Sequence, residues 1–111
     1  MNISYEEFER VQLRSGTIIR VEPFPRAKKP AYQIWVDFGP EFGIKQTSAQ
    51  VTVHYTAEAL IGKKIIGCLN LGPRNIAGFI SEFLLTGFAD ETGAICIAAV
   101  DARVPNGQKL I

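Results

Sequence analysis

Apolar and polar residues alternate along much of this chain, which predicts strands rather than long helices. From Val11 to Val21 the alternating set is Val11, Leu13, Thr17, Ile19 and Val21, and Gly16 inside it predicts a bend or bulge. Tyr32 to Phe38 puts Tyr32, Ile34, Val36 and Phe38 on one face and Trp35 on the other, with Gly39-Pro40 ending the strand. Ile44 to Val53 reads as a third strand, unusually polar at Lys45, Gln46, Thr47, Ser48 and Gln50. Lys64 to Leu71 and Ile76 to Phe88 predict strands around a Gly72-Pro73 turn. Ala94 to Val100 follows the Asp90–Gly93 turn, and Pro105-Asn106-Gly107 makes a last tight turn.

Two short helices interrupt this pattern. Ser4-Tyr5-Glu6-Glu7 fits a capping box and predicts a helix over Tyr5 to Arg10. Thr56 caps a second, near Ala57 to Ile61, which Gly62 closes. The resulting order is β-β-β-α-β-β. It predicts a mostly β protein: a five-stranded OB-fold barrel with a short N-terminal helix and a short helix between the third and fourth strands. Such barrels bind oligonucleotides or extended chains across the second and third strands.

The length of 111 residues favours one domain over residues 1–111. No apolar run approaches the roughly 20 residues of a membrane span. The N-terminus MNISYEEFER lacks the apolar core of a signal peptide, so the expected location is cytoplasmic, with no membrane insertion. Net charge is only +1 but unevenly placed. Residues 26–74 carry Arg26, Lys28, Lys29, Lys45, Lys63, Lys64 and Arg74 against Asp37, Glu41 and Glu58, while both flanks are net acidic. The basic middle suits either a polyanion partner or a solvated surface. Three of its cations lie in Phe24–Pro30 (FPRAKKP), a loop bracketed by prolines.

No catalytic set emerges, and no cofactor or metal is expected. His54 is the only histidine, with Ser48 nearby but no acidic partner indicated, so a nucleophile–base–carboxylate arrangement is not supported. A zinc site needs clustered ligands. Cys68 and Cys96 both sit in strand-like apolar runs and read as buried thiols. Gly62-Lys63-Lys64 lacks the glycines and hydroxyl of a phosphate-binding loop.

The most informative stretch is Asn70 to Gly87, NLGPRNIAGFISEFLLTG. A Ser81-Glu82 pair stands between two apolar runs, which is unusual for pure core because a Glu is rarely buried unpaired. It reads either as a polar shelf beside apolar side chains or as a structural pair, with Glu82 bound to Arg74 or Lys45. Alternation puts Phe79, Ser81 and Phe83 on one face and Ile80, Glu82 and Leu84 on the other.

With these residues in view, the chain resembles the tRNA-binding domain family over nearly its full length. Leu13-Arg14-Ser15-Gly16-Thr17-Ile18 resembles the family's first-strand motif, and Ser48–Thr52 and Leu60–Lys64 resemble its middle. In the hairpin it keeps Asn70, Leu71, Pro73, Arg74, Ile76, Gly78, Ser81 and Glu82, but has Asn75 and Ala77 where the family pattern has cations. The Phe24–Tyr32 loop is most similar to that of the CsaA-like export-related chaperones within the family. The resemblance implies an OB-fold homodimer that binds unfolded or pre-export polypeptide without ATP, or tRNA. For polypeptide, the aromatics near the basic surface, Phe79, Phe83 and, more weakly, Trp35, are the candidate contacts, with plain core as the alternative for all three. The tRNA contacts the resemblance suggests are Lys45, Gln46, Ser48, Arg74, Ser81 and Glu82.

Overall fold

A computed structural model describes residues 1–111. Helix α1 (Tyr5–Arg10) starts with the expected reciprocal cap: Ser4 Oγ accepts from the Glu7 amide and Glu7 Oε1 accepts from the Ser4 amide, each at 3.0 Å. Strands β1 (Leu13–Pro23), β2 (Tyr32–Asp37) and β3 (Ile44–Ala49) follow, then helix α2 (Ala57–Leu60) capped by Thr56, then β4 (Lys64–Cys68). The rest of the chain is cut into short pieces: β5 (Arg74–Ile76), β6 (Phe79–Ser81), β7 (Leu84–Leu85), β8 (Gly87–Ala89) and β9 (Ile95–Ile97).

The main sheet has the order β3-β2-β1-β4-β7, all antiparallel, and curls into a nearly closed barrel consistent with the OB-like fold. β1 is long because it serves two partners: Thr17–Pro23 pairs with β2 and Leu13–Thr17 pairs with β4. Its bulge lies between Ile18 and Arg20, not at Gly16. Gly16 stays in regular register opposite Ile65; a β-carbon there would stand 2.5 Å from Val36 Cγ1. The glycine marks a close approach of strand to core, the other reason for glycine within a strand.

Ile76–Phe88 is not one strand, and Gly72-Pro73 is not its turn. The chain leaves the sheet after Cys68, folds the β5–β6 hairpin, and rejoins β4 where Cys68 pairs with Leu84. The hairpin turns at Ala77-Gly78, with φ of 49° and 87°. Positive φ at both central residues is what a two-residue hairpin loop needs. A second hairpin, β8–β9, closes the fold.

Side chains complete the barrel between β3 and the Ile80–Phe83 segment. The Glu82 amide donates to Gln46 O (2.8 Å), and the Gln46 amide donates to Glu82 Oε1 (2.9 Å). The Ser48 amide donates to Ser81 Oγ (3.0 Å), Thr47 Oγ1 donates to Phe83 O (2.7 Å), and Gln46 Nε2 donates to Ile80 O (2.9 Å). Glu82 therefore binds the backbone of β3 and forms no ion pair with Arg74 or Lys45.

Ile18, Ile34, Val36, Phe38, Val51, Leu60, Ile65, Phe83 and Ile97 form the core. Phe83 is 5% exposed and meets Phe38 edge to face at 4.9 Å. The expectation that Phe83 offers its ring to a ligand is therefore corrected: strand alternation turns it inward, and Leu84 beside it is 51% exposed.

Two outcomes are expected. Phe83→Ser destabilises the fold by at least about 3 kcal/mol, as for large-to-small changes in a core, while Leu84→Ser leaves thermal melting nearly unchanged. Glu82→Ala costs about 1–2 kcal/mol by leaving the Gln46 amide without its acceptor, and Glu82→Gln, which keeps an acceptor oxygen, costs less in chemical denaturation.

Candidate functional site

The Phe24–Pro30 loop and the β5–β6 hairpin face each other across one side of the barrel. Phe24, buried, meets Phe79 at 5.5 Å, and Phe79 meets Trp35 at 5.8 Å, both edge to face. The Arg20 guanidinium stacks over Trp35 at 4.3 Å. The two aromatic residues expected to contact polypeptide, Trp35 and Phe79, are thus brought together. Their rings also join the loop and the hairpin to β2.

Beside this cluster runs an open groove of about 1110 Å³. Its rim carries Arg26, Lys28 and Lys29 from the loop and Arg74 from the hairpin. No Asp or Glu lines it, and none of these four cations forms an ion pair. Its apolar lining includes Val51, Leu71, Ile76, Leu84, Leu85 and Ile95, with Phe83 at the edge of the core below. Leu71 and Leu84 are more than half exposed. Unpaired cations around apolar surface fit an extended chain that offers both apolar groups and negative charge.

Three of the residues expected to bind tRNA line this groove: Ser48, Arg74 and Ser81. Ser48 and Ser81 are already bonded to each other, hydroxyl to hydroxyl at 3.2 Å, and Ser81 is 9% exposed. Gln46 and Glu82 are bonded to each other along the closing seam, and Lys45 stands on β3 outside the groove lining. The loop cations Arg26, Lys28 and Lys29 were missing from the expected contact set, although a proline-bracketed cluster of cations in the sequence signals an exposed basic loop.

At the hairpin tip, Asn75 takes a structural role: its Oδ1 accepts from the Gly78 amide at 2.8 Å. Ala77 occupies the positive-φ turn.

A second polar cluster lies on β8–β9. His54 Nε2 is 2.6 Å from Asp90 Oδ2. Asp90 Oδ1 accepts from the Thr92 amide and hydroxyl, each at 2.8 Å, and from the Ala94 amide at 3.0 Å. The Thr92 hydroxyl first, then His54, holds the Asp90 carboxyl well below the usual carboxylate range. His54 thus has an acidic partner, 36 positions along the chain, that no local motif signals. Cys68 is buried as expected, but Cys96 is exposed, because Ile95 and Ile97 take the inward positions of β9.

Several known proteins are similar to this chain in structure or in sequence. The chaperone CsaA of Bacillus anthracis strain Ames is 39% identical, with a TM-score of 0.91 and full coverage of both chains. The CsaA chaperone of Picrophilus torridus is 38% identical, also with a TM-score of 0.91, over 99% of this chain and all of its own. The methionine–tRNA ligase of Methanocaldococcus jannaschii is 32% identical over 110 residues, 99% of this chain but 16% of the ligase. The chain therefore spans about one sixth of the length of that relative. Residues 13–109 match the model of the putative tRNA binding domain. The chain belongs to the tRNA-binding domain family.

Proposed function

We propose that this protein is a CsaA-like, ATP-independent chaperone that works in the cytoplasm as a non-catalytic homodimer and holds extended segments of unfolded or pre-export polypeptide. The observation that carries this reading is the groove: apolar side chains within an unpaired basic rim and no carboxylate in its lining. Burial of client apolar side chains supplies the attraction, at about 25 cal/mol per Å². The cations select segments with acidic residues and disfavour strongly basic ones. The two CsaA chaperones, similar over their whole length, support the same reading. So does the use of Asn75 and Ala77 to build the hairpin turn, which leaves Arg74 as the one cation on β5–β6.

A second reading, tRNA binding, is favoured by the four unpaired cations and by the family itself. Such binding is governed by phosphate neutralisation and is strongly salt-dependent. Arg74 with the three loop cations would carry it, while Ser48 and Ser81 line the groove beside them.

The dimer is supported by α1, none of whose residues is buried, and by the exposure of Ile3 at 59%, Tyr5 at 69% and Val11 at 39% beside it. Asn70 ties the end of this helix to the barrel, donating to Arg10 O at 2.7 Å, and the apolar side chains left exposed on and beside it offer a surface for a second copy.

Binding titrations with an unfolded polypeptide and with tRNA, each at two salt concentrations, separate the readings. Polypeptide binding is expected to survive added salt, to slow aggregation of the client without nucleotide, and to weaken several-fold in Leu84→Ser with melting preserved. tRNA binding is expected to be weak, with Arg74→Ala reducing the salt slope by about one unit. Nanomolar tRNA affinity together with no effect on client aggregation overturns the chaperone reading. Sedimentation equilibrium at micromolar concentration is expected to show a dimer; a monomer contradicts that part of the proposal.

A further inference from the structure

The pair formed by His54 and Asp90 has a third neighbour. His54 lies between β3 and α2, Asp90 in the turn between β8 and β9, and Cys96 on β9 opposite Phe88. A ring nitrogen of His54, a carboxylate oxygen of Asp90 and the Cys96 Sγ all lie within 4.8 Å of one another. We propose that these three side chains form a binding site for a thiophilic divalent cation of the zinc class, with solvent completing the coordination.

The donor set is the first support. Imidazole nitrogen, carboxylate oxygen and thiolate sulfur together suit zinc, whereas magnesium and calcium take oxygen ligands. Spacing is the second. Around a tetrahedral zinc the donor atoms stand about 3.3–3.6 Å apart. The His54–Asp90 contact of 2.6 Å must open by somewhat less than an ångström, and the thiol, within 4.8 Å of both partners, must close by at most about 1.5 Å. The exposed His54 and Cys96 side chains have room for such shifts.

Orientation is the third support. Three hydrogen bonds to Oδ1 fix the Asp90 carboxylate within its turn, so that Oδ2 faces His54. A bonded carboxylate of this kind is the outer support that metal ligands usually have. Coordination releases the thiol proton, and any proton on the coordinating His54 nitrogen, to solvent. The site joins the segment after β3 to the β8–β9 hairpin. That region also supplies Gly87 and Ile95 to the groove, so a bound cation braces one groove wall without touching the basic rim.

The test is a Co²⁺ titration of the full reduced chain, followed by Zn²⁺ displacement. One equivalent of Co²⁺ is expected to give a thiolate-to-cobalt charge-transfer band with tetrahedral visible bands, all removed by Zn²⁺. Cys96→Ser is expected to lose the charge-transfer band, His54→Ala to weaken binding at least about tenfold, and Cys68→Ser to change neither. Zn²⁺ is expected to raise the melting temperature of the wild type and not of Cys96→Ser. A missing thiolate band, a band that survives Cys96→Ser, or unchanged affinity in His54→Ala overturns the proposal. Each variant's melting curve without metal shows whether it folds. None of these readouts depends on what the groove binds.

Discussion

The barrel depends on how its last seam is closed. β3 is the edge of the five-stranded sheet, and an unpaired edge presents free amides and carbonyls. The returning chain does not lay a regular ladder along it. Instead the Ser81 and Glu82 side chains take the amides of Ser48 and Gln46, while the Glu82 amide reaches Gln46 O. Thr47 and Gln46 return the pairing from β3, to Phe83 O and Ile80 O. This explains why polar residues stand between apolar runs on both segments: they replace backbone partners at the closing edge.

Closing the seam in this way also shapes the groove. Between Cys68 and Leu84 the chain is free to leave the sheet, and the β5–β6 hairpin rises opposite the Phe24–Pro30 loop. Phe79 ties the two together through Phe24 and Trp35. The same alternation that buries Phe83 against Phe38 turns Leu84 outward into the groove lining. Stability and ligand contact thus fall on adjacent residues with opposite orientation.

Gly67 shows how little slack the core leaves at this point. A β-carbon on it would lie 2.6 Å from Phe38 Cζ and 2.9 Å from Phe83 Cδ2. The two rings can meet edge to face over β4 only because the strand carries no side chain there. Interiors packed at this density transmit a change of one methyl group to every neighbour. The groove lining rests directly on this layer through Phe83 and Leu85.

Local chemistry in the sequence determined much of this protein. Ser4 and Thr56 set the starts of both helices because capping needs only neighbouring residues. The alternation through Ile34 and Val36 set the inward face of β2, with Trp35 outside. The mostly β barrel class followed from the succession of elements, and the exposed loop cations from a proline-bracketed segment. Tertiary structure alone decided the bulge at Ile19 rather than Gly16, because a bulge answers to a partner's register. It decided that Glu82 binds a backbone amide and not a cation, and that residues 69–83 form an excursion and not one arm of a simple hairpin. It also joined His54, Asp90 and Cys96. Each of these depends on which distant segments meet, and sequence spacing carries no information about contacts that only the closing of the barrel creates.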